Sequence, residues 1–478
     1  MEFQAYTILE HPEWACIQAK APDSQQRTPV HLCCIIDTSA SMKSEQKLEN
    51  VKHSLQFLLD FLRPNDKISI VTFSDHATTI LKQVPVSNAE KDNIRPRISL
   101  ISIESNTNLS AGIVCVRDCL LNEVDTMKQG ILLLTDGVAN LGLTHSPHLV
   151  ELMNKTIRQF PGTSVSCIGY GTDHNVSLLQ DMSAVGGGSY YVVNNLEDVA
   201  TVFGDILGGL VSCTYQHIRV IFPPNTEIKT RYAVQKTDTQ TEVIIGDLPA
   251  GIQAVFLAKI GCHETVVLKG FSLSSHYDFE LATRVQSTND IEMQTNGEAH
   301  YLRFEVLALI DTSRIYMNPY SHEEDVAIIL SKLKTQIDII EQYKKKNAHS
   351  LWDVLIHELK QCKRYIQNRR YITPDTPYIM SQHTSILGRM RGISASTEQD
   401  QDLPHAVPLA IFSNRIQRQI SAELNSSLSQ MDVVDDQDEP GAGAAASAAA
   451  GSASAEAEAE PGMILRSPPL PRYRPSMA

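Results

Sequence analysis

Two periodicities divide most of the chain. Short apolar runs of strand length alternate with stretches whose apolar residues recur at helical spacing. The runs are His31-Leu32-Cys33-Cys34-Ile35-Ile36, Ile68-Ser69-Ile70-Val71-Thr72-Phe73, Gly130-Ile131-Leu132-Leu133-Leu134 and Ser164-Val165-Ser166-Cys167-Ile168-Gly169-Tyr170. Buried strands read as such runs because both faces are covered. Between the first two, Lys47 to Leu62 carries Leu48, Val51, Leu55, Leu58, Leu59 and Leu62 on one helical face, and Arg63-Pro64-Asn65-Asp66 stops it. Ser110 to Leu121 reads as another helix, and about Leu196 to Leu210 as the last. This alternation predicts an α/β domain over about residues 30–212, a doubly wound, mainly parallel, Rossmann-like sheet.

From residue 213 to about 285 the period becomes two, as in His217-Ile218-Arg219-Val220-Ile221-Phe222 and Val255-Phe256-Leu257-Ala258-Lys259-Ile260. Pro223-Pro224-Asn225 and Pro249-Ala250-Gly251 supply turns between such segments, which predicts a small antiparallel β-sandwich. Residues 1–29 offer Tyr6-Thr7-Ile8-Leu9 and Trp14-Ala15-Cys16-Ile17-Gln18-Ala19, strands that need partners and are expected to join it. The α/β domain is then an insertion in the sandwich, placed so that a ligand-driven shift of its last helix is felt by its neighbour. Residues 286–425 read as helical, with Val326, Ile329, Leu330, Leu333, Ile337 and Ile340 on one stripe and Leu351, Leu355, Leu359 and Cys362 on the next, a hairpin or bundle. Residues 426–478 lose the pattern. An acidic stretch, Asp432 to Glu439, and an Ala/Gly/Ser/Glu tract, Gly441 to Glu460, predict a disordered low-complexity tail.

Candidate chemistry gathers at strand ends. Asp37-Thr38-Ser39-Ala40-Ser41 follows the first apolar run and aims a carboxylate and two hydroxyls off it. In an open α/β sheet, ligands sit beyond the carboxyl ends of the strands. Two more oxygen-bearing loops follow, Ser105-Asn106-Thr107-Asn108-Leu109 and Thr135-Asp136-Gly137. Oxygen donors of this kind suit a hard cation. The plainer reading is that Asp37 and Asp136 cap turns and helices.

In order and spacing, these three loops resemble the metal-ion-dependent adhesion site (MIDAS) of von Willebrand factor A domains. The resemblance implies that Ser39, Ser41 and Thr107 are direct oxygen ligands, while Asp37 and Asp136 act largely through bound water. It implies Mg²⁺ as the metal, with Mn²⁺ or Ca²⁺ as substitutes, and a coordination position left open for an Asp or Glu carboxylate of a partner protein. Mg²⁺ sheds water reluctantly and is bound by few protein groups, which fits such a site. The family usually has glycines before the threonine, whereas this chain has Ser105-Asn106; Asn tolerates left-handed backbone better than most residues. More loosely, the C-terminal part through Pro377-Tyr378-Ile379-Met380-Ser381-Gln382-His383 resembles the region found in proteins that pair an A domain with a Hint-type self-splicing module, although no Hint module is evident.

Composition narrows the partners. With 478 residues, more than one core is expected. A formal net charge of -14 argues against a general nucleic-acid binder. The apolar runs fall short of a membrane span, and the start, Met1-Glu2-Phe3-Gln4-Ala5-Tyr6, lacks the regions of a signal peptide. Of nine cysteines, Cys33, Cys34, Cys115, Cys119 and Cys167 fall in predicted core segments and read as small buried hydrophobes. No CxxC pair supports a zinc ribbon or RING. A reducing cytoplasmic compartment is the resulting expectation. Gly186-Gly187-Gly188 lacks the remainder of a phosphate loop and reads as a tight turn. Lys344-Lys345-Lys346 reads as a solvated helix end, and the PxxP core within Ser467 to Arg474 as a weak match for an SH3-like reader.

The expected function is therefore a non-enzymatic module in which a MIDAS-bound Mg²⁺ receives an acidic side chain of a partner protein. Two alternatives stand beside it: an adaptor in ubiquitin transfer or assembly without a catalytic domain of its own, and an aspartate-based phosphohydrolase with Asp37 as acceptor. The last needs a second acid two residues on, where this chain has Ser39.

Overall fold

The structure is a computed structural model that describes residues 1–24, 26–122, 127–136, 138–171, 174–193, 196–370, 380, 384, 387–388 and 413–423. Strands β1 (Glu2–Ile8) and β2 (His11–Lys20) precede the α/β domain. That domain runs β3 (Val30–Asp37), a 3₁₀ turn (Ala40–Gln46), α1 (Lys47–Phe61), β4 (Lys67–Phe73), β5 (Ala77–Pro85), α2 (Asn88–Ser99), α3 (Leu109–Arg117), β6 (Lys128–Thr135), α4 (Ser146–Gln159), β7 (Thr163–Tyr170), α5 (Val176–Val185), β8 (Tyr190–Val193) and α6 (Leu196–Val211). After it come β9 (Cys213–Phe222), β10 (Glu227–Lys229), β11 (Ala233–Lys236), β12 (Thr241–Pro249), β13 (Gln253–Lys259), β14 (Thr265–Ser272), β15 (Tyr277–Arg284), α7 (Ile291–Ser313), α8 (Glu323–Lys346) and α9 (Leu351–Gln367).

The α/β sheet has the order β5-β4-β3-β6-β7-β8 and is parallel except at β4-β5. It is doubly wound because successive residues of β3 serve opposite cores. Cys34 and Ile36 face the core shared with α1, α2 and α6, whereas Cys33 and Ile35 face that of α3, α4 and α5. Cys33, Cys34, Cys119 and Cys167 are buried, and Cys115 is half-buried. Helices α2, α4 and α5 were not singled out in the sequence reading, and two further details differ from it. The edge strand β5 is half-exposed and lacks a continuous apolar run, so it escaped that reading. Helix α3 ends at Arg117, short of Leu121, because the amides of Asp118 and Cys119 turn back to the carbonyls of Cys115 and Val116 in tightened turns. The glycine run before β8 packs closely: a Cβ at Gly188 would lie 2.0 Å from the Val165 carbonyl oxygen, which explains the absence of side chains there.

Two antiparallel sheets follow, β1-β2-β13-β10 and β11-β12-β9-β14-β15. The N-terminal strands enter the first through pairing of β2 with β13. One apolar core joins both sheets to α7, α8 and α9. Arg303 of α7, wholly buried, donates to the carbonyls of Val255 at 2.6 Å and Leu387 at 3.2 Å. At the end of α8, Lys344 pairs with Asp353 and Lys346 with Glu10, as befits cations at a helix C-terminus. The α/β sheet and the sandwich are tied by an ion pair between Lys128 Nζ and Asp247 Oδ2, 2.8 Å apart with side-chain exposures of 1% and 15%.

Residues 413–423, helical from 415, return to the α/β domain and lie along α6. Gly204 and Gly208 make room for them: a Cβ at Gly208 would be 2.7 Å from the Gln417 Cα, and one at Gly204 would be 2.2 Å from Ser421 Oγ. The Gln417 amide donates to Asp205 Oδ1 at 2.7 Å. That of Asn414 donates to Ser212 Oγ at 2.8 Å and to the Ala250 carbonyl at 3.0 Å. Most of Pro377 to His383, the tail 426–478 and the PxxP segment lie outside the described residues. Among the described residues, no helix is long and apolar enough to cross a membrane.

Candidate metal centre

The sheet order reverses between β3 and β6, since the chain leaves β3 for β4 on one side and later returns to β6 on the other. A crevice opens beyond the carboxyl ends of strands at such a switch point. Asp37 is the last residue of β3, and Asp136 follows Thr135, the last of β6. Both carboxylates are fully buried, Ser39 is 1% exposed and Thr107 is 4% exposed. Ser41 is exposed.

The donors are linked. Asp37 Oδ1 accepts the Ser39 amide at 2.9 Å, and its Oδ2 accepts the Thr135 hydroxyl. The hydroxyls of Ser39 and Ser41 are 3.0 Å apart, and Ser41 donates to Asp136 Oδ1 at 2.8 Å. Burial pushes the Asp37 carboxyl up to about 6, against the hydrogen bonds from Ser39 and Thr135, and the Asp136 charge adds to the rise. Two carboxylates brought together out of water are an arrangement that a cation relieves.

The threonine loop is held against this cluster by the backbone. The Ala40 amide donates to the Ser105 carbonyl at 3.1 Å, and the Glu104 amide to that of Thr38 at 2.7 Å. Thr107 donates its amide to Asn140 Oδ1 at 2.9 Å and accepts the Asn140 amide at 3.0 Å. Neither Ser105 nor Asn106 adopts a positive φ, so the loop does without the conformation for which glycine is suited. Their side chains instead bind Asp75, the Ser105 hydroxyl at 2.7 Å and the Asn106 amide at 2.5 Å. Gly142 is a true glycine position: its φ is +70°, and a Cβ there would sit 2.3 Å from Asn108 Oδ1.

Thus Asp37, Ser39, Ser41 and Asp136 form one hydrogen-bonded cluster, with the Thr107 loop fastened beside it. Carboxylates and hydroxyls without sulfur or imidazole are the donors of a hard cation, so the residues fit Mg²⁺ chemistry. Among the described residues, no group of three His, Cys, Asp or Glu side chains offers a different metal site. Sequence reasoning missed Lys47, whose Nζ lies 2.8 Å from Asp136 Oδ2 with the side chain 5% exposed. Its one signal was a cation in the first turn of a helix, where the macrodipole disfavours positive charge.

Residues 31–205 match the family model of the von Willebrand factor type A domain. The chain is similar to the Escherichia coli K12 protein YfbK, 27% identical over 255 residues that make up 51% of this chain and 44% of that one. It is also similar to bovine inter-alpha-trypsin inhibitor heavy chain H4, 29% identical over 175 residues, 35% of this chain and 19% of the relative. The match thus spans less than half the length of either. Among solved structures, the von Willebrand factor type A protein from Catenulispora acidiphila superposes with a TM-score of 0.54 at 13% identity, covering 73% of this chain and 85% of its own, a likeness of fold. Fold and family match agree that residues 31–205 form a von Willebrand factor type A domain.

Proposed function

We propose that the chain is a metal-dependent protein-binding module in which Asp37, Ser39, Ser41, Thr107 and Asp136 hold Mg²⁺ and the bound ion accepts an Asp or Glu carboxylate from a partner. The observation that carries this reading is the hydroxyl-rich cluster at the switch point between β3 and β6. Its hydroxyls bring no charge of their own, so a dication held there keeps an appetite for an outside anion. When bound, Mg²⁺ supplies a point of anion capture; the protein supplies orientation, with Asp37 fixed by Ser39 and Thr135 and Asp136 by Ser41 and Lys47.

The surroundings favour docking over catalysis. Val138, Leu141 and Leu143, on the loop pinned to Thr107, are 55%, 39% and 40% exposed. Exposed apolar side chains next to a polar anchor give a protein partner surface to bury on docking. Both Asp37 oxygens are already engaged, and the group is buried, which suits orientation and not nucleophilic attack.

Affinity purification tests the reading. Full-length protein as bait in Mg²⁺ is expected to retain proteins that a chelator releases, and Thr107→Ala is expected to retain none of them. Partners held equally in chelator and by Thr107→Ala would refute it.

A further inference from the structure

The backbone of Thr107 is tied at both its polar groups to one loop. Its amide donates to Asn140 Oδ1 at 2.9 Å, and its carbonyl accepts the amides of Asn140 at 3.0 Å and Leu141 at 3.3 Å. Two residues on, the Leu143 amide donates to the Ser110 hydroxyl at 3.1 Å, which itself donates to Asn108 Oδ1, beside Thr107, at 2.7 Å. The loop after β6 and the threonine loop are thereby joined into one unit. The first exposes Val138, Leu141 and Leu143, and the second carries a candidate ion ligand. The far flank differs in kind. Strands β4 and β6 lie on opposite sides of β3, and the turn after β4 presents Asp75, bound to Ser105 and Asn106, with Glu104 joined to Ser74. The centre is thus apolar toward β6 and acidic toward β4.

We propose, resting on the cation-site reading above, that Asn140 is a positioning residue that couples the ion to a docking rim, and that this rim takes a single Asp or Glu flanked by aliphatic side chains. A carboxylate that completes the coordination of the ion brings its neighbours over residues 138–143, where aliphatic groups leave water. An acidic run instead meets Asp75 and Glu104 on the other flank, and like charges repel. Side chains settled on the apolar loop restrict it, and through Asn140 they restrict Thr107. The order that the ion requires of its ligand is then already in place. Reciprocity demands the same factor in the other direction, so ion and partner each tighten the other. Asn140 acts through Thr107 and not as an ion ligand.

The test uses the full chain, Mn²⁺ as the probe cation and short capped peptides in which one central aspartate is flanked by leucines, serines or glutamates. Calorimetry measures Mn²⁺ affinity with and without peptide, and water-proton relaxation of the Mn²⁺-saturated protein reports peptide displacing metal-bound water. In wild type the leucine peptide is expected to bind about tenfold more tightly than the serine peptide, and the glutamate peptide most weakly. The leucine peptide is also expected to tighten Mn²⁺ binding by about fivefold. Asn140→Ala is expected to weaken Mn²⁺ binding about tenfold and to abolish that tightening. Asn140→Asp keeps the acceptor for the Thr107 amide and is expected to retain it. Leu143→Ser is expected to bring the leucine peptide down to the level of the serine peptide. Equal wild-type affinities for the leucine and serine peptides would overturn the rim. Unchanged tightening in Asn140→Ala would overturn the coupling, and weaker Mn²⁺ binding beside it would make Asn140 a structural support only. If Asn140→Ala does not fold, the peptide series with wild type and Leu143→Ser still decides. Absence of Mn²⁺ binding in wild type would remove the cation site itself.

Discussion

Asp247→Ala is expected to lower folding stability by about 3 kcal/mol or more, read as a shift in the urea midpoint at unchanged slope. The partner left behind is Lys128, the first residue of β6, whose side chain is 1% exposed. Its ammonium would keep the Gly162 carbonyl as an acceptor but lose its counter-charge, and removing one member of a buried pair costs more than the pair itself contributes. Lys128→Met is expected to cost less, about 1–2 kcal/mol, because methionine fills the apolar path of the stem and Asp247, at 15% exposure, can still reach water. Equal effects of the two substitutions would mean that the pair is not what ties β6 to the sandwich.

Truncations separate the C-terminal strap from the tail. Deleting residues 413–478 is expected to destabilise the chain by about 3 kcal/mol or more. The estimate combines the partial burial of Ile416 and Ile420 against the α1/α2/α6 core with the hydrogen bonds of Asn414 and Gln417 to buried acceptors. It also uncovers the Gly204 and Gly208 face of α6. Deleting only 427–478 is expected to leave the melting temperature nearly unchanged, since an Ala/Gly/Ser/Glu segment has little apolar surface to bury. A large drop from the shorter deletion would show that the tail docks; no drop from the longer one would show that the strap does not hold α6.

The α/β half of the fold was legible because its strands are buried on both faces. The run Leu32 to Ile36 needs no partner information to be recognised, and the same run places Asp37 at a strand end. What stayed illegible depends on residues distant in sequence. Asn414 and Gln417 are polar residues in an unremarkable segment until Ser212 and Asp205 are seen 202 and 212 positions away. Ser105 and Asn106 looked like a departure from a glycine pattern because their common acceptor, Asp75, lies 30 and 31 residues back. Strand β5 was missed because only Leu81 of its residues is buried, so this edge strand shows no apolar run. Lys47 carried a local conflict with the helix dipole, and such conflicts cluster where function overrides stability.

Calorimetric titration of Mg²⁺ into the full chain, repeated for Ser39→Ala and Thr107→Ala, tests the central claim most directly. Circular dichroism would confirm that the variants remain folded. One ion per wild-type chain is expected, with affinity reduced about 100-fold or below detection in each variant, since loss of a direct ligand should exceed the 10–100-fold cost usual for an outer partner. No saturable Mg²⁺ site in the wild type, or wild-type affinity in both folded variants, would contradict a cation held by the loops that follow β3 and β6.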